Sequence, residues 1–199
     1  MLQTSPHSRP LINLPNALTI GRIIAVPVFV AVMYFLEGDF GRWIALALFA
    51  AASITDWLDG HLARAWQQQS RFGAMLDPIA DKLLVAAALM MLVANGTVTG
   101  LHVFAALIIL SREILVSGLR EFLASLNAIV HDTRLAKWKT AIQMLAIGLL
   151  IAGPAAERIV PGTEAVGLAL LWLAAVLTLW TGSDYLVAAI KHASGDEGS

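Results

Sequence analysis

Four aspartates stand in two pairs in the first half of the chain: Asp56 and Asp59 are three residues apart, and Asp77 and Asp81 are four apart. On an α-helix these spacings put both members of a pair on one face. Four carboxylates gathered in a low-dielectric site repel one another, and divalent cations relieve that repulsion. An all-oxygen ligand set suits Mg²⁺ or Mn²⁺, with Ca²⁺ open on ligand type alone. The spacing therefore predicts a divalent-cation site.

The other residue types leave carboxylates as the metal ligands. The chain has no cysteine, which excludes disulfides, thiolate zinc sites and a cysteine nucleophile. Its five histidines are scattered without metal-ligand spacing. The residues Gly60, Ala63 and Gly73 beside the aspartates have almost no side chain. They leave room either for a ligand or for close packing of helices.

The composition places these aspartates in a membrane protein. Of 199 residues, 58% are hydrophobic and only 14% are charged, and the mean hydropathy is +0.75. A formal net charge of -1 provides no basic field for nucleic acid, so we expect no nucleic-acid partner.

Six apolar stretches predict six spanning helices, since about 20 residues cross the hydrocarbon core of a bilayer. We expect an all-α integral membrane protein, with six transmembrane helices in one bundle. Several stretches are short and continue into polar residues, which we expect to face the bundle interior. Glycine, asparagine and proline punctuate the breaks, the last of which covers 154–162. The apolar stretches are 17–36, 43–58, 78–94, 101–123, 138–153 and 165–190.

The chain divides into one catalytic unit and two short ends. Residues 17–192 form the predicted membrane domain, without an internal repeat. Residues 1–16 form a cytoplasmic segment in which a short interfacial helix is expected. The polar residues 193–199 predict a disordered tail.

The distribution of basic residues predicts a cytoplasmic amino terminus. With that orientation Arg42 and Arg158 lie outside, and the helix ends and loops on the inner side hold a clear excess. The second and third helices then form a hairpin through the polar stretch 67–70, which brings all four aspartates to similar depth on the cytoplasmic side. The basic residues on the inner side are Arg9, Arg64, Arg71, Arg120, Arg134, Lys137, Lys139 and Lys191.

The aspartates belong to a longer pattern, D-x2-D-G-x2-A-R-x8-G-x3-D-x3-D, in which all eight fixed positions are matched. This pattern resembles the signature of the CDP-alcohol phosphotransferases. The segments 13–16, 111–113 and 136–140, with Thr19, Arg22 and Gln143, are similar to the bacterial phosphatidylglycerophosphate synthase branch of that family. The matched positions are Asp56, Asp59, Gly60, Ala63, Arg64, Gly73, Asp77 and Asp81.

The resemblance implies an enzyme that transfers the phosphatidyl group of CDP-diacylglycerol to sn-glycerol 3-phosphate and releases CMP. It further implies a homodimeric multi-pass protein of the bacterial cytoplasmic membrane, in contact with membrane lipid and with its active site facing the cytoplasm. By the family pattern the four aspartates hold two Mg²⁺ or Mn²⁺ ions, and Asp81 is also the general base. The positions implied to bind CDP-diacylglycerol are Gly60, Ala63, Arg64, Gly73, Thr19 and Arg22.

A second basic cluster is expected to bind the acceptor's phosphate. It comprises Arg112 and Arg120 on the fourth helix, and Lys137 and Lys139 at the start of the fifth, all on the side of the aspartates. Arg112 lies too deep to be explained by snorkelling alone. The competing interpretations are an ion pair with Glu113 or another helix for Arg112, and a positive-inside anchor for Lys137.

Other functions remain open at the level of sequence. A cation or solute transporter also places acids inside a membrane, although the inverted repeats common in transporters are not visible. A membrane prenyltransferase also presents aspartates to a metal-bound diphosphate. Within the resembled family, phosphatidylglycerol, inositol, inositol phosphate or serine are alternative acceptors.

Overall fold

The computed structural model describes residues 14–66, 71–125 and 134–193, and within these residues it contains six α-helices. Their bounds are α1 Leu14–Phe35, α2 Gly38–Trp66, α3 Arg71–Ala94, α4 His102–Ser125, α5 Arg134–Ala156 and α6 Thr163–Ala193. The prediction of an all-α protein with six helices is confirmed. The predicted interfacial segment and the predicted tail lie outside the described residues, apart from the few that α1 and α6 include.

Four of the six helices are long and apolar enough to cross a membrane, judged by length and composition over the described residues. These spans are Leu18–Phe35, His102–Leu123, Trp138–Ala156 and Thr163–Ser183. The other two helices, α2 and α3, hold the aspartate motif. Their ionisable residues interrupt the apolar run, and such residues need an interior or a water-filled setting. The bundle is therefore least apolar where the aspartate motif lies.

The helices pack around an apolar core built from all six elements. Phe29 of α1 contacts Phe49 of α2 with ring centroids 6.2 Å apart. Leu89 of α3, Ile147 of α5 and Leu171 of α6 are at most 2% exposed. Helix α1 packs against both α2 and α3, and α6 packs against α4 and α5. Two halves of the bundle thus meet along α5, which also contacts α2 and α3.

A tight turn joins α1 to α2. Gly38 has φ of +83°, a left-handed conformation that a side chain disfavours. A Cβ at Gly41 would lie 2.1 Å from the carbonyl oxygen of Leu36, so only glycine fits there. This turn lets α2 start earlier than the apolar stretch at residue 43 predicted.

The helices extend further than their apolar stretches. The predicted break at 154–162 begins too early, because Pro154 lies inside α5, which ends at Ala156. A proline removes one backbone donor, but membrane helices tolerate that loss where neighbouring groups satisfy the freed carbonyl. Likewise α2 continues to Trp66, well beyond the predicted limit at residue 58. The polar extension of α2 contains Asp59, Gly60, Ala63 and Arg64.

Candidate active site

The backbone brings the two aspartate pairs to the same level of the bundle. Asp56 and Asp59 precede the end of α2, and Asp77 and Asp81 follow the start of α3. With a rise of about 1.5 Å per residue, all four lie roughly 9 to 15 Å from the ends that the two helices share. We call this end of the bundle, where α2 ends and α3 begins, the motif end.

Most motif side chains lie outside the part of the structure that is described. This applies to Gly60, Ala63, Arg64 and Gly73, to Asp56, Asp59 and Asp77, and also to Lys137 of the second cluster. Their predicted roles stay predictions that rest on the pattern and on the helices that hold them. Asp81 is the motif residue whose side chain is described, and it is half-buried.

Asp81 lines a small cavity between three helices. The cavity has a volume of about 30 Å³. Asp81 and Lys82 come from α3, Glu113 from α4, and Thr140 and Gln143 from α5. The apolar part of the wall consists of Val85 and Met144. The last aspartate of the motif therefore shares a polar cavity with the two helices predicted to bind the acceptor.

The carboxylate of Glu113 joins the two basic residues that sequence analysis favoured. Lys139 Nζ donates a hydrogen bond to Glu113 Oε1, and Arg112 Nη1 lies 3.5 Å from the same oxygen. The Lys139 residue is only 4% exposed. Asp81 and Lys82 of the same cavity add one charge of each sign, so these five groups together carry a formal net charge of +1, which suits an anionic ligand.

Helix α6 holds the other side of Arg112. Arg112 Nε donates to the carbonyl oxygen of Thr178 at 3.0 Å, and Nη2 donates to Thr181 Oγ1 at 3.2 Å. Gly182 makes room for this arrangement, because a Cβ there would lie 3.2 Å from Arg112 Nε. The guanidinium is thus fixed between α4 and α6, and the predicted alternative of an ion pair with Glu113 is also present.

The remaining residues that were predicted to bind a substrate differ in how deeply they are buried. Thr19 and Arg22 of α1 are 1% and 2% exposed, and they lie roughly 7 to 12 Å from the start of α1, close to the level of the aspartates. Arg120, in contrast, is exposed on α4. The structure therefore brings Arg112 and Lys139 together through Glu113, whereas Arg120 lies exposed about two turns further along α4.

Four functional candidates had no predicted site role. Glu113 and Gln143 belong to the segments that carry the family resemblance, so a signal existed, but neither side chain is basic and the search for a phosphate site looked for basic residues. Thr181 and Gly182 gave no signal, because their contact with Arg112 joins residues far apart in the chain.

The residues present fit divalent ions by the chemistry of their donors. All four motif aspartates offer carboxylate oxygens, the ligands that Mg²⁺ and Mn²⁺ prefer. Within the described side chains no group of three histidines, aspartates or glutamates is close enough to hold a metal. Of the four aspartates only Asp81 is among them, so the geometry of this ligand set stays a prediction.

These features define a class: a helical membrane protein with a carboxylate motif at one end of its bundle and buried basic side chains beside it. The family model described as CDP-alcohol phosphatidyltransferase matches residues 12–180. The chain therefore belongs to the CDP-alcohol phosphatidyltransferase family, as its eight-position pattern predicted.

Curated relatives cover nearly the whole chain and are named CDP-diacylglycerol--glycerol-3-phosphate 3-phosphatidyltransferase. The protein of Cereibacter sphaeroides is 38% identical, over 90% of this chain and 96% of the relative. The protein of Rickettsia bellii is 45% identical, over 90% and 97%. The protein of Pseudomonas fluorescens is 43% identical, over 92% and 93%.

Proposed function

We propose that this chain transfers the phosphatidyl group of CDP-diacylglycerol to sn-glycerol 3-phosphate, giving phosphatidylglycerophosphate and CMP. The observation that supports this acceptor is the cavity shared by Asp81 and Glu113, with Lys139 bound to Glu113. It sets a candidate base beside a cluster with surplus positive charge. The names of the relatives at 38–45% identity support the same reaction.

The carboxylates of Asp56, Asp59, Asp77 and Asp81 would hold divalent ions, two Mg²⁺ or Mn²⁺ in our proposal. Bound there, such ions would neutralise charge on the diphosphate of the donor. The small residues Gly60, Ala63 and Gly73, with Arg64, would border the nucleotide and the diphosphate. Thr19 and Arg22 of α1 would approach the same donor from the neighbouring helix.

The protein groups perform the transfer by positioning and by proton removal. Arg112 and Lys139 bind the phosphate of the acceptor, and Arg120 and Lys137 add positive charge at its approach. Asp81 accepts the proton of the acceptor's hydroxyl. The hydroxyl oxygen then forms a bond to the phosphorus nearest diacylglycerol. The bond from that phosphorus to the bridging oxygen breaks, and CMP leaves.

The decisive experiment is release of CMP by the purified protein in detergent with CDP-diacylglycerol. The acceptors to compare are sn-glycerol 3-phosphate, phosphatidylglycerol, inositol, inositol phosphate and serine. We expect release with sn-glycerol 3-phosphate and Mg²⁺ or Mn²⁺, and none in excess EDTA. Faster release with another acceptor would contradict the proposed substrate, and full turnover in EDTA would contradict the proposed metals.

We further propose a homodimer in the bacterial cytoplasmic membrane, with its motif end facing the cytoplasm. The excess of basic residues at that end supports this orientation. The cysteine-free background allows a direct test by labelling Gln68→Cys, between α2 and α3, and Thr99→Cys, between α3 and α4. A membrane-impermeant reagent applied from outside should label Thr99→Cys alone. Labelling of Gln68→Cys instead would reverse the topology.

A further inference from the structure

A buried amide in the cavity has a hydrogen-bond acceptor that is not used. Gln143 is 2% exposed, and its Oε1 atom finds no hydrogen-bond partner among the residues that the structure describes. An acceptor left unpaired in a protein interior is destabilising, so most such groups meet a partner. Its presence in the cavity wall indicates that a ligand or a water donates to it.

The position of Gln143 relates it to both ends of the proposed acceptor. Lys139 is four residues earlier on α5, so the two side chains share one face of that helix. Asp81 lines the same cavity from α3, and Glu113, which binds Lys139, lines it from α4. Gln143 therefore lies in one cavity wall with the candidate base and one helical turn from a phosphate ligand.

The acceptor of the proposed reaction has three polar groups. Its phosphate is assigned to Arg112 and Lys139, and its primary hydroxyl is assigned to Asp81. The secondary hydroxyl on the central carbon is the group left over, and Gln143 is the buried neutral polar side chain of this wall. A hydroxyl both donates and accepts, so either atom of the amide matches it.

We propose, building on the proposed function, that Gln143 binds the secondary hydroxyl of the acceptor and thereby selects its configuration. Three separate contacts around one central carbon distinguish sn-glycerol 3-phosphate from its mirror image, sn-glycerol 1-phosphate. Without the third contact, the phosphate and the primary hydroxyl are satisfied by either enantiomer. Gln143 is thus a specificity-determining residue.

A trapped water is the competing explanation, since a cavity of about 30 Å³ holds one. The test compares the wild type with Gln143→Met, which keeps the volume and removes the amide, using CDP-diacylglycerol and two acceptors. These acceptors are sn-glycerol 3-phosphate and 3-hydroxypropyl phosphate, which lacks the secondary hydroxyl. We expect wild-type kcat/KM to favour the first by roughly tenfold to hundredfold. In Gln143→Met that ratio should fall to about one, with the analogue's own kcat/KM kept within about threefold.

A preference for sn-glycerol 3-phosphate over sn-glycerol 1-phosphate should shrink in the same variant. Gln143→Glu keeps an acceptor oxygen and should retain the hydroxyl preference. Gln143→Leu, which also lacks the amide, replaces Gln143→Met if that variant does not fold. Ile147→Val, one turn further along the same face of α5, controls for a packing defect and should leave the ratio unchanged.

Three results would overturn the inference. A trapped water predicts that kcat/KM falls equally for both acceptors in Gln143→Met. The other two are an unchanged ratio of the two kcat/KM values in Gln143→Met and a loss of that ratio in Ile147→Val. The failure of the proposed function has a different signature, because the wild type would then release CMP faster with another acceptor, or would release none with sn-glycerol 3-phosphate.

Discussion

The two ends of the bundle differ in how far the side chains of their ion pairs are exposed. At the motif end, Lys139 is 4% exposed, and the side chains of Arg112 and Glu113 are 10% and 18% exposed. At the far end, which includes the connections 36–37, 95–101 and 157–162, the pair Arg158–Asp39 is 74% and 38% exposed. Burying a charge costs several kcal/mol, whereas an exposed pair changes stability by about 0 to 1 kcal/mol. Apolar residues would stabilise the motif end without this desolvation cost, so its buried charges indicate function.

The polar groups of the far end serve the connections between helices instead. Arg42 Nη1 donates to Thr97 Oγ1 at 2.9 Å and to the carbonyl oxygen of Ile151 at 3.3 Å. Glu157 accepts backbone N–H groups of Gly162 and Glu164, where α6 begins. These contacts fix turns, and none of them involves a motif residue. Substitutions at the two ends should therefore separate activity from stability.

The largest effect should follow from Asp81→Asn. The change removes the proposed base and one proposed metal ligand together, without altering the size of the side chain. We expect kcat for CMP release to fall by roughly 10² to 10⁴, with the thermal midpoint close to that of the wild type. Steady-state assays and thermal unfolding in the same detergent measure both. A variant with the wild-type rate would exclude Asp81 as the base.

The next largest effect should separate acceptor from donor. Arg112→Gln and Lys139→Gln each remove a charge-assisted contact to the acceptor's phosphate, worth about 1.5 to 3 kcal/mol. The kcat/KM for sn-glycerol 3-phosphate should fall roughly tenfold to hundredfold, with little change in the KM for CDP-diacylglycerol. Arg64→Gln is the matched control, since it should change the kinetic constants for CDP-diacylglycerol at least as much as those for sn-glycerol 3-phosphate. A loss confined to the donor in the first two variants would refute the acceptor cluster.

A smaller effect should come from Gly182→Ala, which acts through Arg112. The new Cβ would lie 3.2 Å from Arg112 Nε and 3.3 Å from Arg112 Cγ, so the guanidinium must shift. We expect the KM for sn-glycerol 3-phosphate to rise by about twofold to tenfold, less than for Arg112→Gln. Gly148→Ala is the control, because its Cβ would meet Leu46 Cδ1 at an ordinary 3.6 Å. Equal kinetic changes in both variants would indicate a general helix effect.

The sequence predicted the parts of this site that depend on local spacing. The aspartate intervals placed each pair on one helix face, and the apolar stretches gave the number of helices. The contacts of Arg112 with Thr181 and Gly182 could not be predicted, because they depend on how α4 and α6 pack. The contact of Lys139 with Glu113 likewise depends on how α4 and α5 pack, whereas the ion pair of Glu113 with its neighbour Arg112 was already an alternative at the level of sequence. Helix limits at Pro154 and Asp59 were also missed, since hydropathy marks the apolar stretch and not the end of the helix.

At the far end, acid should weaken the cap of α6. The backbone N–H groups of Glu164 and Gly162 lower the pKa of Glu157. A carboxylate with a lowered pKa stabilises the fold above its unfolded value of about 4.3, and this contribution is lost as pH falls through the folded pKa. The wild type should therefore exceed Glu157→Gln in thermal midpoint at about pH 6, and the difference should shrink towards about pH 3. A constant difference across that range would contradict the cap.

The smallest effect should follow from breaking the ion pair between Arg158 and Asp39. Arg158 Nη1 lies 2.8 Å from Asp39 Oδ2, yet the Arg158 side chain is 74% exposed, so water and salt screen the attraction. Arg158→Gln should change the free energy of unfolding by no more than about 1 kcal/mol and leave kcat and both KM values unchanged. The small stability difference should vanish at high ionic strength, where Asp39→Asn should behave in the same way. A clear loss of CMP release in either variant would show that the far end also affects turnover, and the separation of the two ends would then fail.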